Sequence, residues 1–430
     1  MNTHHLELPI DSASAARLAQ DGLRFGLVDR TDPIAFASWS QSVSRGFHAP
    51  RDTQEQLDQR LSFYANRRMS GVWDDSEADA ASPVATIDAW PSDLTVPGRS
   101  SVPAWAISAV TVSPTHRRRG IATALLEAEL RTASALGFPV AMLTVSESTI
   151  YGRFGFGPAL NVTELTIDTR RTKWTGPVAT GRVQFVTKEQ LLIDGHALVE
   201  KVRLDTPGHM EYSGVLWERQ LGVMAGDENA KSLRFVRYDD ADGVQQGFAI
   251  YRIIDTGKDF ADHELKLTYL VAATDDAYAG LWRFMLEMDL VSKLTADLRP
   301  LDEPLRWMIS DVRAIHTNDI DHLWTRILDV KAALEARTYE SEGRIVLAVT
   351  DRLGFAEGTF ALEVADSGAA VVTEVDEPAD VTLSATELGS IYLGGVSPLA
   401  LARADRITGD AALLATMFGS PVAPWLDIWF

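Results

Sequence analysis

The stretch SPTHRRRGIATALLEAEL, residues 113–130, places Arg117, Arg118, Arg119 and Gly120 ahead of apolar residues at Ile121, Ala124, Leu125 and Ala128. That spacing predicts a helix. A helix N-terminus carries unpaired N–H groups and the positive end of the helix dipole, so it attracts anions. Three arginines sit badly there unless an anion neutralises them. With a phosphate present they add bidentate contacts, and Gly120 lets backbone and ligand approach closely. Neither GxxxxGK[ST] nor G-x-G-x-x-G occurs, which excludes a P-loop and the dinucleotide fingerprint. What remains is R-x-x-G-x-A, met by Arg117, Gly120 and Ala122 after a VTV strand.

A second reactive group lies downstream. SESTIYGRFGFGPAL, residues 146–160, presents Tyr151 among two aromatics, Phe154 and Phe156, that read as core. A phenol has a pKa of about 10 and a thiol about 8.5, so a tyrosine can reprotonate a leaving thiolate. The tail APWLDIWF is apolar and aromatic, which predicts docking into a pocket rather than exposure. Cysteine is absent, which excludes disulfides, thiolate zinc sites and cysteine nucleophiles. No G-x-S-x-G is present. His48, His116 and His196 form no metal spacing, so no metal is expected.

These groups need elements to hold them. A strand is predicted over 23–29, a helix over 32–47 beginning at Asp32, and a second helix over 51–68. A hairpin follows around the acidic tip 74–83, then a loop over 93–103. Strands are predicted over 104–114 and 138–146, flanking the arginine-led helix. Polar, turn-rich text around 165–182 marks a joint, giving blocks 1–168, 169–310 and 311–430. The third block is expected to begin with a long amphipathic helix over 319–338, followed by strands with period-two alternation at 343–351, 358–366 and 368–376. An internal repeat is also suggested. Residues 267–290 match 107–130 at an offset of 160, pairing Gly120 with Gly280, but Asp275–Ala279 replace the basic turn.

The 430 residues carry a net charge of −20. Two or three domains are expected from the length. The negative charge disfavours nucleic acid and anionic membranes and suits cationic partners. No run approaches a membrane span, and no signal peptide is read at the N-terminus, which predicts a cytoplasmic protein.

The RRRG turn after its strand resembles motif A of the GNAT acyl-CoA N-acyltransferases, and Y-x-x-F-G-F looks like their late motif. Together with the degenerate second block and the aromatic tail, the chain resembles the Eis (enhanced intracellular survival) family of N-acetyltransferases. The resemblance implies a mixed α/β fold, with two tandem GNAT-like domains followed by a C-terminal sterol-carrier-like domain. It implies acetyl-CoA as cosubstrate, aminoglycosides, polyamines or lysine side chains as acceptors, and a homohexamer. Val110, Thr111 and Val112 would pair with the pantetheine arm. Arg117, Arg118, Arg119, Gly120, Ile121, Ala122 and Thr123 would hold the phosphates, with Ser146 and Glu147 bordering the cofactor. Tyr151 would be the general acid, and the carboxylate of Phe430 the proton acceptor. Asp29, Trp39, Asp427 and Trp429 are expected near the acceptor. A non-catalytic acyl-CoA sensor and a lipid or sterol carrier are the alternatives.

Overall fold

The computed structural model describes residues 4–226, 229–257 and 261–430. In the N-terminal part, the strands are β1 (Leu23–Leu27), β2 (Arg68–Asp74), β3 (Ala85–Val96), β4 (Ser100–Val112), β5 (Val140–Thr144) and β6 (Gly157–Asp168). The central part adds β7 (Arg182–Phe185), β8 (Leu233–Asp239), β9 (Gln245–Ile254), β10 (His263–Ala272) and β11 (Val291–Arg299). The last part holds β12 (Ile315–Ile327), β13 (Gly343–Thr350), β14 (Gly358–Val364), β15 (Ala370–Glu374), β16 (Val381–Ser384) and β17 (Thr408–Gly409). One 12-stranded sheet runs β1-β2-β3-β4-β5-β12-β6-β11-β10-β9-β8-β7, and a 5-stranded sheet runs β15-β14-β13-β16-β17. Among the described residues, no helix is long and apolar enough to cross a membrane.

Several expected elements change. The first half of the predicted 319–338 helix is instead strand: β12 inserts between β5 and β6, pairing antiparallel with both. Only Val330–Ala336 is helical, capped by Asp329. The apolar residues of that tract do have helical spacing. In the sheet, Thr325 and Arg326 are buried and find partners in the last part of the chain. Thr325 donates to the Gly389 carbonyl at 2.9 Å, and Arg326 pairs with Asp351 at 2.6 Å. The boundary expected near Asp311 accordingly moves, since β12 belongs to the large sheet. The loop expected over 93–103 is largely the β3–β4 hairpin. The predicted 51–68 helix shortens to Gln54–Phe63, opened by a Thr53 capping box.

The repeat survives with a different register. β10 ends at Ala272, 160 residues after β4 ends at Val112, and each runs parallel to the strand after its helix. The helices do not coincide. Ile121–Ala135 starts after an eight-residue turn, whereas Asp275–Leu286 starts almost at once under a Thr274 cap. Gly280 therefore lies inside a helix, and Asp275 and Asp276 occupy its first turn. The second copy has lost the whole turn, and its own carboxylates complement its helix dipole.

Beneath the arginine-led helix, Glu129 and Arg68 form a fully buried pair at 3.5 Å, with the Trp105 indole donating to Glu129 at 3.3 Å. Burial pushes the Glu129 carboxyl up to about 7 from 4.5. Folded Glu129 thus holds a proton that the unfolded chain releases, and stability falls as pH rises through that window. Glu129→Gln is expected to flatten this decline in thermal midpoint between about pH 5 and 7. An unchanged slope would assign the decline to other groups.

Candidate active site

β4 and β5 lie side by side only at Ala104–Ala106, opposite Val140–Met142. Beyond Ala106, β4 continues to Val112 against β3 alone. Its other edge, carrying Val110, Thr111 and Val112, opens toward β5 as an unpaired strand edge. A bulge sits within this stretch: the β3 register slips between Thr86 and Asp88, and Ala109 adopts φ 51°. Such a bulge re-aims backbone groups near a site. Thr86 braces it, donating to the Ala109 carbonyl at 2.8 Å and sharing a hydrogen bond with the Thr111 hydroxyl at 2.7 Å.

The turn after β4 has the form of an anion cradle. Arg118 at φ 65° and Gly120 at φ 73° both lie in the left-handed region. For an arginine this costs about 1–2 kcal/mol, which must be offset by the surrounding structure. The helix Ile121–Ala135 has no side-chain cap, with Ile121, Ala122 and Thr123 in its first turn. The other α-helices longer than four residues are all capped by a side chain. Arg117 and Arg118 are exposed. Arg119 is engaged with the protein, donating to the Asp21 carbonyl at 2.9 Å and lying 3.5 Å from Asp74. His116 is buried behind the turn, 3.2 Å from Asp74. The Ser76 hydroxyl and backbone, with His116, hold the Asp74 carboxyl well below its usual range, so it stays ionised as the anchor of this loop.

The end of β5 carries the other groups. Tyr151 ends the short helix Ser148–Tyr151 and is buried against Phe156. Burial raises its pKa, which the Ser146 hydroxyl opposes and the Glu147 carboxylate reinforces. A phenol in this setting is protonated at neutral pH. Ser146 and Glu147 are exposed.

The tail returns to the same place. The Thr144 hydroxyl donates to an oxygen of Phe430 at 2.8 Å and accepts from the Phe430 N–H at 3.3 Å. The Phe430 ring stands edge-on to Trp90 at 5.5 Å. Upstream, His322 Nε2 contacts the Ile428 carbonyl at 2.8 Å, Arg219 donates to the Trp429 carbonyl, and Tyr212 donates to Asp427 at 2.9 Å. Trp429 is 43% exposed, with its indole against the His322 ring. The tail is thus gripped by both GNAT-like parts, and the oxygen at its end lies at the mouth of the β4–β5 gap.

Two expected acceptor residues do not join this constellation. Trp39 is fully buried beneath Tyr64, its indole donating to the Ser70 carbonyl at 2.9 Å, so it presents no surface to a ligand. Asp29 is exposed and closes a turn onto Thr31 at 2.8 Å. No hydrogen bond or ion pair among the described residues links it to the tail. Asp427 lies in the tail but is buried, facing Tyr212 rather than solvent. Conversely, Thr144, Arg219, His322 and Trp90 escape the sequence reading, because nothing local marks a residue that meets a tail 286 positions away.

Comparison with known proteins agrees with this architecture. Acetyltransferase (GNAT) domain models match residues 30–159 and 208–327, and a sterol carrier protein domain model matches 330–427. An uncharacterized N-acetyltransferase of Streptomyces avermitilis is 35% identical over 407 residues, 92% of this chain and 96% of that protein. N-acetyltransferase Eis of Mycobacterium tuberculosis is 35% identical over 335 residues, 75% of this chain and 78% of that protein. The chain belongs to the Eis family of GNAT N-acetyltransferases. The crystal structure of Eis1 from Mycobacterium abscessus matches with a TM-score of 0.79 at 28% identity, covering 95% of this chain and 100% of that one. The Eis-family fold is therefore two GNAT units and a sterol-carrier-like unit, and the protein is an acyl-CoA N-acyltransferase. GNAT enzymes use acetyl-CoA. The residues here fit that molecule on three counts: an open strand edge, an uncapped helix N-terminus, and a Gly120 whose missing Cβ faces open space. Among the described residues no group of side chains suited to a metal is present.

Arg117→Ala/Arg118→Ala removes both exposed cations. Charge-assisted hydrogen bonds contribute about 1.5–3 kcal/mol each, discounted here for exposure, so a roughly tenfold to hundredfold rise in the acetyl-CoA Kd is expected by calorimetry. An unchanged Kd would take the arginines out of the site.

Proposed function

We propose that the chain acetylates primary amines of cationic acceptors, among them aminoglycosides, polyamines and lysine side chains, by direct transfer from acetyl-CoA. The observation that carries this reading is the Phe430 oxygen held by Thr144 at the mouth of the β4–β5 gap, beside the strand end that leads to Tyr151. Acetyl-CoA supplies an activated acyl thioester. Val110, Thr111 and Val112 offer the open backbone edge to its pantetheine arm. Arg117, Arg118 and the N–H groups of residues 120–123 offer positive potential to its phosphates, with Arg119 bracing the turn. Ser146 and Glu147 border the same space.

The Phe430 carboxylate accepts a proton from the acceptor ammonium, directly or through water. The freed amine attacks the thioester carbonyl carbon, forming the C–N bond. Backbone N–H groups of the Val110–Val112 strand would stabilise the carbonyl oxygen. The C–S bond breaks, Tyr151 delivers a proton to the sulfur, and the second proton shed by the nitrogen returns through water to the Tyr151 oxygen. Thr144 acts as a positioning residue for the carboxylate. The net charge of −20 favours encounter with polycations. Trp429, beside the terminal residue and partly exposed, belongs to this reading as a shaper of the acceptor side. Self-association into a homohexamer belongs to it too.

Acetyl-CoA is to be incubated with each acceptor class and the products weighed by mass spectrometry. Addition of one or more acetyl groups to an amine supports the reading. Acceptors left unmodified while acetyl-CoA binds would favour a sensor instead.

A further inference from the structure

The second GNAT-like unit has its own gap. β10 pairs with β11 only over His263–Leu267. Beyond that, Tyr269–Ala272 keep β9 on one side and have no β11 partner on the other. This repeats the opening of β4 from β5. The tail enters it: the Trp425 indole donates to the Leu298 carbonyl of β11 at 2.6 Å, and the Arg299 guanidinium lies 4.8 Å from the Trp425 ring centre. Behind Trp425 is a cavity of about 180 Å3 lined by Tyr269–Ala272, Val199, His209, Arg299 and Asp427.

Its walls carry unmet polar groups. His209 is 7% exposed and its Nε2 has no hydrogen-bond partner. The Tyr269 hydroxyl sits beside Tyr212 and Asp427 yet makes no hydrogen bond of acceptable geometry. An unmet buried donor or acceptor is costly, so two in one cavity favour an occupant. The charge of that occupant is constrained. Burial lowers the His209 pKa and keeps the ring neutral. Arg299 is paired with Glu303 at 2.7 Å, Asp427 accepts from Tyr212 at 2.9 Å and Asp205 is neutralised by Arg99, so each of these wall charges already has a partner. A cation would meet Arg299 and an anion would meet Asp427. At about 180 Å3 the cavity is below the roughly 300–1,000 Å3 of common ligand pockets, which suits a fragment rather than a whole coenzyme. No arginine turn precedes the helix Asp275–Leu286, and Asp275 and Asp276 repel phosphate.

We propose that the gap of the second unit binds a fragment-sized, uncharged secondary amide, held by the open β10 edge and by His209 and Tyr269. An amide both donates and accepts, matching a free strand edge and the two unmet side chains. Two sources share this chemistry: the N-acetyl end of an acetylated amine, and the amide arm of pantetheine. This site is independent of whether the first gap performs the proposed transfer.

N-butylacetamide, pantetheine and n-butylammonium are to be titrated separately into the full chain saturated with coenzyme A, which fills the first gap. Binding is read by saturation-transfer NMR and calorimetry. N-butylacetamide or pantetheine is expected to bind and n-butylammonium not to. Binding of N-butylacetamide identifies the acetylated-amine source, and binding of pantetheine alone identifies the cofactor arm. Ala272→Phe and Val199→Phe, filling the cavity from two walls, should each weaken that binding at least tenfold while coenzyme A affinity stays the same. The variant that retains coenzyme A affinity and thermal midpoint is the one read. Failure of both amides to bind, equal binding of n-butylammonium, or binding unaffected by the filled cavity would overturn the proposal.

Discussion

Extending the chain beyond Phe430 is expected to lower turnover by about two to four orders of magnitude, the range that general acid–base groups supply. Acetyl-CoA binding should be unchanged. The physical reason is local. An added peptide bond replaces a carboxylate with a neutral amide that cannot take a proton from an ammonium. The added residues must also pass Thr144 and Trp90, which already pack against Phe430. A chain ending in an amidated Phe430 separates these two effects, because it keeps the ring and removes the charge. Steady-state thiol release from acetyl-CoA with a polyamine acceptor measures both. An amidated protein with full kcat would remove the carboxylate from the mechanism and leave the tail as a wall of the site. Thr144→Val, which keeps the carboxylate but loses its hydrogen bond, should give a smaller fall in kcat.

Tyr151→Phe is the second large effect. Loss of a proton donor to the sulfur is expected to cost about a hundredfold or more in kcat, with little change in the acetyl-CoA Kd. Burial, the largest influence on Tyr151, raises its pKa above the ordinary value of 10. The acid form is therefore complete at neutral pH, and activity that depends on it is lost only as pH rises beyond 10. The wild-type kcat profile should bend down in that alkaline range, and the variant should lose the bend along with the rate. A variant that keeps the rate would make Tyr151 a packing residue against Phe156.

The parts of this site that sequence could reveal are those made by neighbours in the chain. Arg117 to Thr123 form a cradle because a strand, a turn and a helix start follow one another. The helical spacing of Ile121, Ala124, Leu125 and Ala128 places that start within a residue. Tyr151 follows the end of β5 for the same local reason. What sequence hid was made at long range. Trp39 has the composition of a ligand wall but is taken up by Tyr64 and the Ser70 carbonyl. The tract around Leu323, Trp324 and Ile327 has helical spacing, yet strands pair with it along both edges and its residues are buried as a central strand, which overrides that periodicity. The repeat was visible through the ends of β4 and β10. The offset could not show that Gly280, matched to Gly120, sits in mid-helix because the turn before it is gone.

The tail threads both gaps of a paired fold, Trp425 in the second and Phe430 at the first. It is the least local feature of the chain, and the proposed chemistry depends on it.

The central claim is amine-dependent transfer, and single-turnover thiol release from acetyl-CoA tests it most directly, using protein that ends at Phe430, with and without spermidine. Rapid thiol release is expected only when the amine is present, together with acetylated spermidine. Acetyl-CoA bound tightly, with the same slow release whether or not amine is added, would contradict it.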